Sequence, residues 1–180
     1  MNVKAMLGVV GLCACTVAFA GNRHFVITEG GKVHIRGSIA DAACSVSAGS
    51  ENQVVDMGQF RSNQFDALGS YASPIPFVIA LTDCHASMGE RVAIAFKGVS
   101  DGKDPLVFQA GAGADTPPGV GLAIFDGGGN IIPPNALPRT MASLHRGEML
   151  LHFTARYRAT SRQVSGGNAD AWTWFTLTYQ

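Results

Sequence analysis

The residues that could carry chemistry in this chain are few and widely spaced. Asp83-Cys84-His85 places a thiol beside an imidazole, the pairing that activates a cysteine nucleophile. The 5 histidines, at positions 24, 34, 85, 145 and 152, show no metal-site spacing such as H-x-x-x-H. The run 127–129 is all glycine, but it sits in a hairpin pattern and not at the strand-to-helix junction that cradles phosphate. We therefore expect no enzyme, no metal site and no cofactor.

Trp172 and Trp174 are candidates for a different chemistry, because indole rings can stack on sugars. Their period-two spacing within a strand pattern favours packing in the core or in a groove. A secreted carbohydrate-binding module using one of these rings is the alternative function, and glycan binding by the monomer would favour it. A hydrolase with an unrecognised site is a third reading, which turnover on a substrate panel would support.

The first residues have the features of a secretory signal peptide. Lys4 precedes an apolar run, and Ala18-Phe19-Ala20 is a small-x-small cleavage site, so cleavage is predicted before Gly21. The segment 12–15, Leu-Cys-Ala-Cys, loosely resembles a lipidation box and leaves a lipoprotein signal as the alternative. Residues 1–20 are thus excluded from the predicted fold.

Cleavage simplifies the cysteines. Of the 4 cysteines, only Cys44 and Cys84 remain in the predicted mature chain, and in an oxidising compartment two cysteines pair in one way. Closing a loop of this length stabilises a fold by about 4 kcal/mol in the chain-entropy model. The predicted disulfide also removes the Cys84 thiol from any nucleophilic role.

Composition and periodicity indicate one all-β domain. The chain has 180 residues with 47% hydrophobic and 14% charged residues, 22 glycines and zero net charge, which gives no sign of a nucleic-acid or anionic-membrane partner. One helical turn is predicted within 62–70, a hairpin turn at 126–130, and loops at 101–102 and 110–119. Short strands at this spacing suggest an immunoglobulin-like β-sandwich. The predicted inner strands are 44–46, 53–57, 77–82, 91–96, 120–125, 131–132 and 149–158.

The two clearest alternating segments stand near the two ends of the chain. Residues 32–40, KVHIRGSIA, follow a glycine-rich lead and alternate apolar with polar residues, and so do residues 175–179, FTLTY. A sandwich that ends on such a strand can lack one strand, and a missing strand is most simply supplied by another chain. The segment 32–40 suits that donor role, and head-to-tail donation generates a filament.

These residues resemble the pilins of the chaperone–usher pathway, in the type 1 fimbrial group. The resemblance covers nearly all of residues 21–180 and is closest to the fimbrin-like minor subunits of type 1 operons. It rests on GGKVHIRGSIADAAC (30–44), MGQFRSNQFDALG (57–69), PFVIALTDC (76–84), ERVAIAFKG (90–98), LHFTARYRATSR (151–162) and FTLTYQ (175–180).

The resemblance implies an all-β, incomplete immunoglobulin-like sandwich that lacks its final strand and is completed by a donor strand from another chain. It implies three segments: a signal peptide (1–20), an N-terminal extension with the donor strand (21–40) and a pilin domain (41–180). The implied partners are a periplasmic chaperone, an outer-membrane usher and neighbouring pilins, with no small-molecule substrate. The implied destination is a fimbria on the cell surface, and a rod, minor or assembly-terminating role stays open.

The same resemblance implies roles for individual residues. The donor face would be formed by Val33, Ile35, Gly37 and Ile39. The strand that meets the chaperone and lines the subunit's own groove would carry Phe175, Leu177 and Tyr179, with Gly167 as part of the C-terminal recognition pattern.

Overall fold

The computed structural model describes residues 43–85, 89–111 and 118–180. Eight strands dominate this part of the chain. They are β1 (Ser45–Val46), β2 (Ile75–Cys84), β3 (Arg91–Lys97), β4 (Phe108–Gln109), β5 (Val120–Asp126), β6 (Met141–Ser143), β7 (Gly147–Ala159) and β8 (Trp174–Tyr179). A single turn of α-helix, α1 (Ala48–Glu51), and a 3₁₀ turn, Ser62–Gln64, complete the elements.

The strands form two antiparallel sheets. The larger sheet has the order β1-β2-β7-β5-β4, and the smaller has the order β6-β3-β8. β7 is the centre of the larger sheet, with Phe77 opposite Phe153 on its β2 side and Ile124 opposite Ala155 on its β5 side. The all-β sandwich expected from the sequence is confirmed.

The core lies between the two sheets and follows from strand alternation. Along β7 the buried side chains occur at every second position, from Met149 to Ala159. They face a nearly continuous buried run on β3, where Phe96 packs edge-on against Phe153 at 5.3 Å between ring centroids. A second cluster around Ala72, Val120 and Tyr157 fills another part of the interior. Burying large apolar side chains of this kind supplies most of the folding free energy.

The turn after β5 is held by one carboxylate. Asp126 is buried, and it accepts hydrogen bonds from the backbone N–H groups of Gly128 and Asn130 at 2.9 and 2.8 Å and from the Thr140 hydroxyl at 2.5 Å. Burial raises the pKa of this carboxyl, but the hydrogen bonds from Thr140, Asn130 and Gly128 outweigh burial and hold the pKa below its usual value. The turn is therefore fastened to the segment that leads into β6.

Two predicted strands are absent or shortened, and two observed strands, β4 and β6, were not predicted. Within the predicted strand 53–57, residues 54–57 alternate between exposed and half-buried positions, as a strand does, but the segment pairs with no described strand. Residues 131–132 supply only a single bridge, between Ile131 and Phe125, so the predicted hairpin has one short arm. The predicted helical turn within 62–70 is present as the 3₁₀ turn at its start.

The described residues contain neither a membrane-spanning helix nor a cluster of metal-ligating side chains. No helix in them is long and apolar enough to cross a bilayer. No group of three or more His, Cys, Asp or Glu side chains in residues 43–85, 89–111 and 118–180 is placed to hold a metal ion.

Candidate functional site: an open strand edge over an apolar cleft

Strand β8 has a partner on one side only in the part of the chain that the structure describes. It pairs with β3 along its whole length, from Trp174 opposite Lys97 to Tyr179 opposite Val92. It is the last strand of the three-stranded sheet, so its other edge faces no strand of residues 43–85, 89–111 or 118–180. An unpaired edge presents a row of backbone donors and acceptors to any incoming strand.

The alternation of hydrogen-bonded and non-bonded pairs between β3 and β8 shows which residues of β8 have backbone groups directed to the open edge. Arg91 and Gln180 exchange both backbone hydrogen bonds, at 2.7 and 3.0 Å. In an antiparallel ladder the bonded and non-bonded pairs alternate, so Phe175, Leu177 and Tyr179 are non-bonded positions relative to β3. Their N–H and C=O groups point to the open edge. The same three side chains are half-buried and pack against the core.

A cleft of about 1290 Å³ opens between the two sheets at the Phe175 end of this edge, and the segments 50–60 and 164–173 form much of its rim. Both sheets contribute apolar side chains to its walls, and the most buried of these are Ile79, Phe96 and Ile124, each 2% exposed. Val46 and Phe77 from the larger sheet and Phe175 from β8 also line it. Protein interiors are normally filled to crystal-like density. A cleft of this size between two apolar sheets is therefore shaped for apolar side chains that these described residues do not supply.

The disulfide fixes the start of β1 to the end of β2. Cys44 lies just before β1 and is bonded to Cys84 at the end of β2, with the two Cα atoms 4.0 Å apart. The Tyr179 hydroxyl donates a hydrogen bond to the Cys44 carbonyl oxygen at 3.3 Å. Burial raises the pKa of the Tyr179 phenol, and the hydrogen bond with the Cys44 backbone partly offsets that rise.

This hydrogen bond joins the end of β8 in the smaller sheet to the residue just before β1 in the larger sheet. β1 and β8 are edge strands of their two sheets.

The structure describes the cysteines and the C-terminal residues singled out by sequence, but not the N-terminal ones. Phe175, Leu177 and Tyr179 lie together on the core-facing side of β8, where Phe175 lines the cleft, and Gly167 lines the cleft from the connection between β7 and β8, outside any strand. The donor-face residues Val33, Ile35, Gly37 and Ile39 lie outside the described residues, as do Ala18, Ala20 and Gly21 of the expected cleavage site.

The expectation for the tryptophans was wrong in one respect. Trp172 and Trp174 are 79% and 69% exposed, so they are not core residues, although both border the cleft. They alternate with the half-buried residues 171, 173 and 175, which turns them to the outer face of the sheet. The period-two spacing shows that both tryptophans share one face, but it does not show whether that face is buried.

Several wall residues were not identified from the sequence as site residues. In the sequence, the pattern around Ile79, Phe96 and Ile124 is that of ordinary core positions. The period of a strand does not show whether a further side chain packs against a buried residue. The Tyr179–Cys44 bridge joins residues far apart in the chain and has no local signal.

An immunoglobulin-like sandwich whose described residues leave an edge strand open beside an apolar cleft defines a class of protein that is completed by a further strand. The chain belongs to the fimbrial protein family, whose model matches residues 33–180. It is a structural subunit of chaperone–usher fimbriae, and such subunits are exported to the cell surface as fimbriae.

Comparison with known proteins supports this assignment at the levels of sequence and structure. The chain is 43% identical to a fimbrin-like protein FimI of Salmonella typhi over 155 residues, covering 86% of this chain and 88% of that one. It is 36% identical to a type 1 fimbrial subunit of Salmonella typhimurium over the whole of both chains. The crystal structure of the P pilus rod subunit PapA matches with a TM-score of 0.67 and 25% identity, covering 77% of this chain and all of PapA. The family and its fold are those of structural pilins.

Proposed function

We propose that this subunit enters a fimbria by donor-strand complementation, in which its cleft receives a strand first from a periplasmic chaperone and then from a neighbouring pilin. The observation that carries the proposal is the free edge of β8, with its inward-facing Phe175, Leu177 and Tyr179, above the cleft of about 1290 Å³. A strand laid along that edge satisfies the backbone groups and places every second side chain in the cleft, as β-augmentation requires.

The proposal assigns the rest of the chain to export and donation. Residues 1–20 are the signal peptide, cleaved after Ala20, and residues 21–40 are an extension whose Val33, Ile35, Gly37 and Ile39 enter the cleft of the preceding subunit. Residues 41–180 are the pilin domain, and an outer-membrane usher receives the chaperone-capped subunit. The similarity to a fimbrin-like protein favours a minor or assembly-terminating position over the main rod.

The test supplies the strand in the same chain. A copy of residues 32–40 is fused after Gln180 through a flexible linker, and its urea unfolding midpoint is compared with that of the unmodified mature chain. We expect the fusion to be soluble and markedly more stable, because it fills the cleft and pairs the β8 edge. A matched fusion with Ile35→Asp and Ile39→Asp in the copied segment should give no gain. If the unmodified chain is already as stable as the fusion, the cleft does not need a strand.

A second test separates donation from acceptance. Gly37 occupies the donor face, and a glycine within a strand usually marks a close approach of another backbone. Gly37→Trp should block addition of this subunit to a chaperone-capped pilin in vitro while leaving its own capture by the chaperone unchanged, since its own cleft lies elsewhere. Normal donation by the variant would remove Gly37 from the donor face.

A further inference from the structure

The exposed tryptophans stand at the rim of the cleft but face away from the core, so a strand lying in the cleft does not cover that outer face. We name this surface the tryptophan patch and define it as Val99, Trp172 and Trp174, which are 65%, 79% and 69% exposed. An exposed group of large apolar side chains on a soluble domain usually marks an interaction site.

The patch is assembled around the end of β3. Trp174 pairs with Lys97, and the Thr173 hydroxyl donates a hydrogen bond to the Lys97 carbonyl oxygen at 2.9 Å. Val99 follows two residues later. The Asn135 side chain exchanges hydrogen bonds with the backbone of Gly98, at 2.8 and 3.2 Å, and fixes this end of the strand from the other side. The tryptophan patch therefore sits on a fixed backbone and is not a loose loop tip.

The direction of the donor strand determines which part of the neighbouring subunit lies next to the tryptophan patch. Every strand pair in the described sheets is antiparallel. A donor strand that continues the smaller sheet in the same way runs opposite to β8, so its Val33 end lies beside Tyr179 and its Ile39 end beside Trp174. The seven-residue face from Val33 to Ile39 matches the length of β8, Trp174–Tyr179.

In the donor subunit, the folded domain begins only a few residues after the donor strand. Only residues 40–43 separate Ile39 from Cys44, which the disulfide anchors in the donor's domain. Five residue steps span at most about 18 Å, so the body of the neighbour begins within that distance of Trp174. A tether this short holds the two bodies against one another at high effective concentration.

We infer that the tryptophan patch is the binding surface, or seat, for the folded domain of the neighbouring pilin whose donor strand fills the cleft. Resting on the proposed function, this inference gives subunits a second contact besides the strand and fixes the angle between successive domains. Two exposed tryptophans suit such a contact, because large aromatic side chains are the residues most enriched in the energetic centres of protein interfaces.

The experiment uses the patch as its own reporter, since Trp172 and Trp174 are the chain's 2 tryptophans. The acceptor is the mature chain with Gly37→Asp, which cannot donate. It is refolded with either a synthetic peptide of residues 32–40 or a whole second copy of this chain. That second copy carries Trp172→Ser and Trp174→Ser, so it contributes no tryptophan emission. It also carries a fused copy of residues 32–40, which fills its own cleft. Tryptophan emission and acrylamide quenching are then compared between the two complexes.

We expect the peptide to bind but to leave the emission of the patch close to that of exposed indole. The whole copy should shift the emission to the blue and lower the quenching constant about threefold or more, as burial of an indole requires. In the acceptor, Trp172→Ser with Trp174→Ser should speed dissociation of the whole copy in moderate denaturant about tenfold, the scale of a typical interface hot spot. The peptide's dissociation should not change. Leu150→Ser, an exposed apolar position on β7 of the other sheet, is the control and should change neither.

The outcomes separate the inference from the proposed function. If neither peptide nor copy binds, the cleft does not accept this strand and both proposals fail. If both bind but give the same emission and quenching, the tryptophan patch is not the seat and the inference alone is overturned, as it is if the peptide binds and the copy does not. A blue shift of the peptide complex caused by methyl mannoside, together with no effect of the copy, would assign the patch to a glycan instead.

Discussion

Replacing Leu177 by alanine should cost more once the cleft is filled than while it is open. Leu177 lies on the core-facing wall formed by β8 and is half-buried in the isolated subunit. Each buried methylene is worth about 0.8 kcal/mol, so trimming a partly exposed leucine should lower the free energy of unfolding by about 1 kcal/mol. With a strand above it, the same side chain becomes a core residue, for which leucine to alanine costs about 3 kcal/mol.

The difference between these two costs is the free energy by which the substitution should weaken binding of the strand. About 2 kcal/mol corresponds to a roughly 30-fold weaker affinity for the strand. It is measured by urea unfolding of the subunit with and without the fused copy of residues 32–40, and by competition for a labelled peptide of the same sequence. Thr176→Ala is the matched control on the adjacent, outward-facing position and should stay within about 0.5 kcal/mol of the parent in both states.

One result would refute the reasoning. If Leu177→Ala destabilises the open and the filled forms equally, within about 0.5 kcal/mol, then the strand does not pack on this wall. The fused strand would have to stabilise the domain through backbone pairing alone or by binding elsewhere.

Three further predictions test the frame around the cleft. Cys44→Ser should lower the free energy of unfolding by about 4 kcal/mol, because it opens a loop of 40 residues, and the yield of folded protein from the periplasm would report it. Tyr179→Phe should reduce the loss of stability at alkaline pH: the raised phenol pKa contributes stability that is full below the unfolded pKa of about 10 and is lost as pH rises through the folded pKa. Tyr157 also has a raised pKa, through burial and then Asp170, so only the difference between variant and parent reports on Tyr179. Asp126→Asn should flatten the loss of stability in acid, because the lowered carboxyl pKa contributes stability that is present above the unfolded pKa of about 3.9 and is lost as pH falls through the folded pKa; a thermal melt series down to pH 2 would contradict this if the parent and variant curves stayed parallel.

The long strands could be predicted from the sequence because their alternation is set by burial. β2, β3, β5, β7 and β8 all contain predicted segments and extend them by a residue or more. β4 and β6 have two and three residues, too few to show a period, and they are strands only because a neighbour pairs with them. The segment 53–57 shows the opposite case, since its side chains alternate but its backbone has no described partner. Pairing is a tertiary property, and the period does not record it.

The candidate site was predictable only in part for the same reason. The alternation of Phe175, Leu177 and Tyr179 shows which side chains share a face, and the resemblance to pilins suggests what that face does. Which edge of β8 is free depends on its pairing with β3 and on the Arg91–Gln180 hydrogen bonds, which are contacts between distant parts of the chain. The same dependence explains the tryptophans, whose shared face was evident and whose exposure was not.

The disulfide beside β1 has a mechanical consequence for a fimbria under tension. In the proposed donor-strand assembly, pulling on the filament would load each domain through its own donor segment, so the tension would arrive at Cys44. β1 has only two residues, Ser45–Val46, and its few hydrogen bonds to β2 would be the first to tear. The Cys44–Cys84 bond diverts the load past β1 directly into the ten-residue β2, which is paired along most of its length with β7. The weakest strand of the domain is thus taken out of the force path, and the tension is borne by covalent bonds and by the centre of the larger sheet.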